Sequence, residues 1–324
     1  MSTTPYLGAW WVAAGLALAA GRPVMAWLAR AGAIKAVREE APARHAQKAG
    51  TPTMGGLLIV VASLSGSLAA AVITGHVSLD LLVALVVIVL FATVGALDDA
   101  LGIARRRNLG LRAREKLYLQ VPVALLLGAY VVWQPHLGAG IMVPGLTVRL
   151  DLGWLYPVFC VLVVVGMANA VNLTDGLDGL AAGAMAIASG TLAVLAARAG
   201  VLPAGVVAAA VAGAALGFLW YNAHPARMFM GDVGSQALGA AFAVTGVLAK
   251  MEITMLIVGS LFVAEALSVI LQVVYFRLTG GRRLFRMSPI HHHFELTGWT
   301  ETQTVVRFWV CGALLAAVGV GLGP

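Results

Sequence analysis

The sequence predicts an all-α polytopic membrane protein with about ten transmembrane helices. Of its 324 residues, 60% are hydrophobic and only 11% are charged. Soluble domains carry about 25% charged residues, so a water-soluble enzyme is excluded, and disorder is excluded because it needs low hydrophobicity and high charge. A third observation is that apolar runs recur along the whole chain and leave no stretch for a separate soluble domain. We therefore expect one membrane domain over residues 1–324.

Each predicted span is a run of roughly 20 mostly apolar residues, the length that a helix needs to cross a bilayer. The chain holds ten such runs: 7–30, 53–75, 79–97, 117–134, 154–172, 179–198, 203–221, 233–249, 253–277 and 303–322. Between the fourth and fifth runs, the segment 141–150 is apolar on both sides of Pro144-Gly145. This pattern predicts a small β-hairpin.

Basic residues alternate between the connections. The connections after the first, third and ninth spans are rich in lysine and arginine, whereas the even-numbered connections together hold Arg149, Arg198 and Lys250. Basic connections face the cytoplasm, so the hairpin and both termini are predicted to be periplasmic. The excess of basic over acidic residues (21 − 14 = 7) suits loops beside anionic lipid and requires no nucleic-acid partner.

Acidic residues gather at one predicted face of the membrane. Five lie at predicted cytoplasmic ends of spans, on three different connections: Asp98, Asp99, Asp175, Asp178 and Asp232. Transporters tend to place such groups near the bilayer midplane. The pattern therefore favours an enzyme that works at the cytoplasmic surface, with a transporter of a phosphorylated solute as the alternative from another class.

Each acidic motif also has a structural explanation. Asp98-Asp99 closes the third predicted span. A helix C-terminus disfavours anions, so the pair needs an explanation. It is either a solvated helix end or a shared cation or acid–base site. After the fifth span, one acid could cap the next helix. Five polar residues exceed that need and so favour function there: Asn169, Asn172, Thr174, Asp175 and Asp178. Of these, Asn172, Asp175 and Asp178 recur at every third position and would share one face of a helix.

The connections before the eighth and second spans hold further candidates. Asp232 can be a helix N-cap and still offer its second carboxylate oxygen to a metal. Phe229 is either a stacking platform for a base or a lipid contact. Lys48 and Thr53 flank a predicted helix N-terminus that would suit a phosphate, although Pro52 at the first helical position explains the same sequence structurally.

Three consecutive histidines lie in the last predicted cytoplasmic connection. His291, His292 and His293 lack the i, i+4 spacing of a helical zinc site, so we expect phosphate contacts or proton transfer without zinc. Consecutive residues of an extended loop point to opposite sides, and we expect His291 and His292 to matter more than His293. Glu265, inside the ninth span, is expected to be functional or to have a polar packing role.

Five motifs in order resemble the phospho-N-acetylmuramoyl-pentapeptide-transferase family: KAGTPTMGG (48–56), DD (98–99), NLTDGLDG (172–179), NAHPARMFMGDVGS (222–235) and PIHHHFE (289–295). The resemblance extends from about residue 48 to about residue 309. It implies a ten-helix, homodimeric enzyme of the bacterial inner membrane, with a broken ninth helix and a cytoplasmic active-site cleft in the lipid bilayer.

The resemblance also implies a reaction. Phospho-MurNAc-pentapeptide would pass from UDP-MurNAc-pentapeptide to undecaprenyl phosphate, with Mg²⁺, giving lipid I and UMP. A related transferase that uses another UDP-HexNAc is the nearest alternative. Direct attack by the lipid phosphate, assisted by Asp98, and a two-step route through a phospho-aspartate both stay open.

Individual roles follow from the motif positions that match the family. Asp232 matches the Mg²⁺ ligand, and four residues match catalytic positions: Asp98, Asp99, Asp175 and His291. Eight match nucleotide or substrate-pocket positions: Lys48, Thr53, Lys116, Asn172, Asp178, Asn222, Phe229 and His292. Many members carry an aromatic residue and then a lysine after the paired aspartates. Here Ala100-Leu101-Gly102 follow, and the run Arg105–Arg107 is the candidate substitute for that lysine.

Overall fold

A computed structural model describes residues 3–34, 50–105, 110–146 and 148–323. Within these ranges the chain forms twelve α-helices and one two-stranded antiparallel sheet. In chain order the helices are α1 Thr4–Arg30, α2 Gly56–Thr74, α3 Leu79–Ala104, α4 Ala113–Trp133, α5 Tyr156–Thr174, α6 Leu180–Arg198, α7 Leu202–Asn222, α8 Gly231–Leu248, α9 Glu252–Val258, α10 Ser260–Leu278, α11 Ile290–Leu296 and α12 Glu301–Leu322.

Local sequence signals explain where several helices begin and end. Ser78 is the N-cap of α3, and its side chain accepts a hydrogen bond from the Leu81 N–H at 3.2 Å. Thr300 and Gln303 form a capping box at the start of α12. Helix α2 is followed by its C-cap Gly75, whose φ of 70° is a conformation that glycine reaches without the steric cost of a Cβ.

Helices α7 and α8 lie at the centre of the bundle. Every residue of α8 from Val233 to Leu248 is buried. Gly213 and Gly217 bring α7 close to α1, because a Cβ on Gly213 would overlap with the Trp10 carbonyl and one on Gly217 would lie 2.8 Å from the Ala14 carbonyl oxygen. Small residues at this spacing are typical of helix pairs that pack inside membranes.

The prediction of a helical membrane protein is confirmed. Nine helices of the described ranges are long and apolar enough to cross a membrane: α1 to α7, α10 and α12. The eighth predicted span, 233–249, coincides with α8, which is not among these nine and carries Asp232, Ser235 and Gln236 in its first two turns. The count of ten spans and the periplasmic position of both termini therefore stay predictions.

The hairpin predicted at 141–150 is present. Strand β1, Gly140–Met142, pairs antiparallel with β2, Arg149–Asp151. Next to it, Lys250 Nζ donates a hydrogen bond to the Gly138 carbonyl oxygen at 3.1 Å. The hairpin thus lies at the end of the bundle where α8 ends and α9 begins.

The ninth predicted span, 253–277, is broken into α9 and α10 at Gly259. A Cβ on Gly259 would lie 2.7 Å from the Phe242 ring of α8. The chain therefore passes close to the central helix at this point, and α10 continues from there as a separate helix.

The position of the paired aspartates within their helix was predicted wrongly. Helix α3 does not end at Asp98-Asp99 but continues to Ala104, because Leu101 and Ile103 extend its apolar pattern. The acids lie more than one turn before the helix end, where the effect of the macrodipole is weaker. Of the two alternatives for this pair, the solvated helix end does not fit the structure, since both acids are buried.

The predicted extended conformation of the histidine segment is wrong as well. His291, His292 and His293 belong to α11, whose N-cap is Pro289. In a helix with 3.6 residues per turn, neighbouring side chains diverge by about 100° instead of pointing to opposite sides. Two consecutive histidines can therefore both face the protein interior, and His291 and His292 are both buried.

Candidate functional site

Three carboxylates and one lysine meet where α3, α4 and α8 approach each other. Asp98 and Asp99 come from α3, Asp232 from the first turn of α8 and Lys116 from the first turn of α4. One oxygen of each carboxylate lies within 4.8 Å of the other two. Lys116 Nζ donates to Asp232 Oδ2 at 2.6 Å and lies 3.3 Å from Asp98 Oδ1. We call these four residues the acid cluster.

Backbone N–H groups hold two of the carboxylates. The Leu111 N–H donates to Asp98 Oδ1 at 2.7 Å, and the Val233 N–H donates to Asp99 Oδ2 at 3.0 Å. Asp98 is 3% exposed and Asp99 is 0% exposed, so these hydrogen bonds offset part of the cost of removing the acids from water. The Asp232 side chain is 15% exposed and is the carboxylate that a ligand reaches most easily.

Two glycines leave the space that the acid cluster occupies. Gly231 has φ 72°, and a Cβ at this residue would lie 2.5 Å from Asp99 Oδ2. A Cβ on Gly95 would overlap with the Asp232 carbonyl group. Helices α3 and α8 therefore approach each other as closely as their backbones allow, which is why acids from both helices can meet.

Thr53 and Phe229 lie on two segments that pair through their backbones. The Phe229 N–H donates to the Pro52 carbonyl at 2.8 Å, and the Gly55 N–H donates to the Phe229 carbonyl at 2.9 Å. Thr53 is buried beside Gly231, the first residue of α8, while Phe229 is half-buried. Lys48, the third predicted residue of this region, lies outside the described residues.

Asn172 and Asp175 lie at the end of α5. Asn172 Nδ2 donates to Ser235 Oγ of α8 at 2.8 Å. Asp175 directly follows the last residue of α5 and is half-buried. Because Ser235 lies one turn after Asp232, the Asn172 contact joins this end of α5 to the helix that carries the most accessible acid.

Three amide side chains link the helices of this region deeper in the bundle. Asn169 Nδ2 of α5 donates to Gln120 Oε1 of α4 at 3.1 Å, and Gln120 Nε2 donates to Gln236 Oε1 of α8 at 2.7 Å. We call these three residues the amide ladder. Hydrogen bonds between helices in apolar surroundings oppose sliding of one helix past another, so the ladder keeps α4, α5 and α8 in register below the acid cluster.

Asp178 belongs to a second polar cluster, which it forms with His224 and Glu301. His224 Nδ1 lies 3.0 Å from Asp178 Oδ2, and the Ala226 N–H donates to the same oxygen at 3.1 Å. Glu301 Oε1 accepts a hydrogen bond from the Asp178 N–H at 2.9 Å. These contacts join the starts of α6 and α12 to the connection between α7 and α8.

Asn222 stabilises the connection between α7 and α8 through two hydrogen bonds of its side-chain amide. Its Oδ1 accepts from the Gly179 N–H at 3.1 Å, and its Nδ2 donates to the Met228 carbonyl at 2.9 Å. The residue is 3% exposed. Its amide group therefore fixes the connection that leads to Phe229 and Asp232.

The three histidines have different surroundings. His292 Nδ1 lies 2.8 Å from Glu295 Oε2 on the same helix. His293 Nδ1 accepts a hydrogen bond from the Arg286 N–H at 3.1 Å and so faces the loop before α11. His291 is fully buried, and its Nε2 occupies the space that a Cβ on Gly176 would need. Helix α11 thus brings His291 next to the connection that carries Asp175.

Two groups within the described part of the chain have ligand atoms close enough to hold a metal ion: the acid-cluster carboxylates, and Asp178 with His224 and Glu301. Mg²⁺ is bound by oxygen ligands, often from one or two carboxylates together with phosphates. An imidazole nitrogen is a ligand that suits zinc and other transition metals better. The donor set of the acid cluster therefore fits Mg²⁺, and Asp232 is its most accessible oxygen donor.

Sequence reasoning missed several residues of these clusters. Four residues that the sequence analysis did not single out contact a predicted site residue or a residue of the amide ladder: His224, Glu301, Gln120 and Gln236. A signal for two of them was present. Gln120 follows Lys116 by four residues, and Gln236 follows Asp232 by four residues, so each pair lies on one face of its helix.

Most of the chain is similar to known proteins. The family model Glycosyl transferase family 4 matches residues 81–250, and the model phospho-N-acetylmuramoyl-pentapeptide-transferase signature 1 matches residues 48–60. The phospho-N-acetylmuramoyl-pentapeptide-transferase of Shouchella clausii is 47% identical over 291 residues, 89% of this chain and 88% of the relative. The enzymes of the same name from Bacillus licheniformis and Bacillus subtilis are 46% and 44% identical, each over 88% of both chains.

Proposed function

The chain belongs to the phospho-N-acetylmuramoyl-pentapeptide-transferase family, and we propose that it transfers phospho-MurNAc-pentapeptide from UDP-MurNAc-pentapeptide to undecaprenyl phosphate. The products are lipid I and UMP, so the reaction is the first membrane step of peptidoglycan synthesis. The observation that carries the proposal is the acid cluster at one end of a bundle of membrane helices. Its support is the 44% to 47% identity to such transferases over most of the chain.

Asp232 is proposed as the principal ligand of Mg²⁺, because it is the most accessible carboxylate of a donor set that fits this ion. When bound, Mg²⁺ would neutralise negative charge on the reacting phosphates. Lys116 provides a second positive charge at the same place, since its Nζ already lies between Asp232 and Asp98. Fixed positive charge is the main requirement when two phosphate-bearing anions must approach each other.

The proposed transfer forms one bond and breaks one bond. A phosphate oxygen of the lipid attacks the β-phosphorus of the nucleotide sugar, and the bond from that phosphorus to UMP breaks. Asp98 accepts any proton that the attacking phosphate carries, while Asp99, Asp175 and His291 position the two phosphate groups. A covalent phospho-aspartate route would instead give ping-pong kinetics, so initial rates with both substrates varied distinguish the routes.

The other candidate residues are proposed to form the substrate pocket around the acid cluster: Lys48, Thr53, Asn172, Asp178, Asn222, Phe229 and His292. The half-buried ring of Phe229 can stack on the uracil base. Asp178 and Asn222 shape this pocket through the backbone groups that they hold.

The acid cluster is further proposed to face the cytoplasm from the bacterial inner membrane, in a homodimer. The basic residues of the odd-numbered connections support this orientation by the positive-inside rule. It places the site where a water-soluble nucleotide and the head group of a membrane lipid can both reach it.

A transfer assay in detergent tests the proposal. Purified protein with labelled UDP-MurNAc-pentapeptide, undecaprenyl phosphate and Mg²⁺ is expected to form a lipid-linked product and UMP, and EDTA is expected to stop the reaction. Unlabelled UDP-GlcNAc should not compete. Effective competition by UDP-GlcNAc would support the related transferase instead, and the absence of any lipid-linked product would favour a transporter.

Gly176→Ala is expected to lower turnover by about 100-fold, because the added Cβ displaces the His291 ring and a misplacement of about 1 Å can cost that much. Gly166→Ala on α5 is the matched control, since a Cβ there meets nothing within 4 Å. Turnover and melting temperature are measured for both variants. If Gly176→Ala kept the turnover of the control, His291 would not have the position proposed for it.

A further inference from the structure

Glu265 is a fully buried acid on a helix that is otherwise largely exposed. Helix α10 buries a single stripe of residues: Leu261, Phe262, Glu265 and Ser268. Many of the apolar side chains on the rest of the helix face outward, among them Leu267, Ile270 and Leu271. An acid inside a membrane helix is costly and marks a functional site by default, so the one carboxylate in this stripe needs an explanation.

The side chain that faces Glu265 is His291. Glu265 Oε1 and His291 Nδ1 lie 3.1 Å apart, and both side chains are 0% exposed. The ring N–H is not aligned with the oxygen, so neither carboxylate oxygen and neither ring nitrogen has a hydrogen-bonded partner among the described residues. Buried polar atoms that lack partners are rare in native proteins and are found at catalytic sites. Hydrogen bonds at such sites often align only when the substrate is bound.

The other ring nitrogen of His291 lies beside the connection between α5 and α6. Its Nε2 fills the space beside Gly176, which directly follows Asp175. On its own helix, the His292 ring packs against His291 with centroids 4.1 Å apart, and His292 in turn faces Glu295. The ring therefore spans from the Glu265 carboxylate on α10 to the connection after α5.

A carboxylate next to one imidazole nitrogen determines which of the two ring nitrogens carries the proton and which can accept a hydrogen bond. A carboxylate at this distance can only accept a hydrogen bond, so an aligned contact with Glu265 would favour the neutral ring that carries its proton on Nδ1 and keeps Nε2 free to accept. The same contact fixes the orientation of the ring plane. Carboxylates that hold histidines in this way act in hydrolase triads and around metal centres, where they touch neither substrate nor metal.

We propose that Glu265 is a positioning residue that holds His291 with its proton on Nδ1 and directs Nε2 at the phosphate groups of the substrate. This inference rests on the proposed transferase function only for its kinetic consequence. The pairing itself is a property of the folded chain and can be observed without substrate.

The pairing is tested by NMR of protein labelled with ¹⁵N-histidine, with the His291 signals assigned through their loss in His291→Gln. The parent protein is expected to show a single His291 tautomer with a protonated Nδ1. In Glu265→Gln the side-chain amide can donate to Nδ1 as well as accept from it, so a second tautomer should appear. An unchanged His291 spectrum in this variant would overturn the proposal.

The kinetic test uses Glu265→Gln, Glu265→Asp and a matched control. Glu265→Gln is expected to lower kcat by about 10- to 100-fold, as is typical when a partner of a functional histidine is lost, with little change in KM. Glu265→Asp keeps the carboxylate and should recover part of kcat. Glu252→Gln is the control, because Glu252 is also fully buried but pairs with Lys250 at the hairpin end of the bundle.

The outcomes distinguish a positioning role of Glu265 from a purely structural role. They also distinguish a failure of this proposal from a failure of the proposed transferase function. Equal losses of kcat in Glu265→Gln and Glu252→Gln, or no recovery in a folded Glu265→Asp, would contradict positioning of His291. If Glu265→Gln failed to fold, the spectrum and kcat of Glu265→Asp would decide. An inactive parent protein with the expected His291 spectrum would refute the transferase function and leave the pairing intact.

Discussion

Asp232→Asn is expected to lower Mg²⁺-dependent turnover by at least about 1000-fold, which corresponds to ~4 kcal/mol of transition-state stabilisation. Asp232 is the most exposed carboxylate of the acid cluster, and its Oδ2 contacts Lys116 at 2.6 Å. Asparagine keeps the shape of the side chain but loses its charge, so the affinity for a divalent cation falls. Turnover is measured over a range of Mg²⁺ concentrations.

Asp80→Asn is the matched control for this variant. Asp80 lies near the start of α3, 18 residues before Asp98, or roughly 27 Å along a helix that rises 1.5 Å per residue. It pairs there with Tyr130 and His136, so its replacement should leave turnover unchanged. Near-normal turnover of Asp232→Asn at low Mg²⁺ would refute the assignment of this residue as the metal ligand.

Asp98→Asn is expected to lower turnover by about 100-fold and to raise the melting temperature in EDTA by a few degrees. The loss of turnover follows from the removal of a group that accepts a proton next to Lys116. The gain in stability follows because three carboxylates share one lysine, and removing one charge relieves their repulsion. The asparagine oxygen can still accept from the Leu111 N–H.

The stability effect has a second signature. Mg²⁺ should neutralise the same repulsion, so the difference in melting temperature between Asp98→Asn and the parent should shrink when Mg²⁺ is added. Thermal unfolding in EDTA and in Mg²⁺ measures both values, with Asp80→Asn as the control. An unchanged or lower melting temperature in EDTA would contradict the repulsion argument, and full turnover would contradict a catalytic role.

The existence of the site could be predicted from the sequence, whereas its contacts could not. The ends of apolar runs locate the connections, so acids on alternate connections must lie at one face of the membrane. Which acids meet depends on how the helices pack sideways. Asp98 meets Asp232 because Gly95 lets α3 and α8 approach, while Asp178 lies in another cluster with Glu301. Such contacts join residues more than 100 positions apart, and local patterns do not encode them.

The errors in the sequence analysis also have physical causes. Helix α3 continues beyond Asp99 because Leu101 and Ile103 extend its apolar pattern. The Leu111 N–H offsets part of the cost of burying Asp98, an acid that a hydropathy count treats as a stop signal. The histidine segment forms α11 because its side chains pack on α10 and α12, and this tertiary contact outweighs the weak local preference of three histidines. Glu265 could be identified as unusual, but its partner His291 could not.

The amide ladder bears on the order in which the chain enters the membrane during its synthesis. Gln120 and Asn169 are made before Gln236, and α8 is not among the nine helices of the described ranges that are long and apolar enough to cross a membrane. Until α8 arrives, the Gln120 amide lacks one of its acceptors in an apolar medium, a costly state for a polar group. The earlier helices thus present an unpaired hydrogen-bond donor that α8 satisfies through Gln236, and we expect insertion of α8 to be coupled to assembly of the bundle.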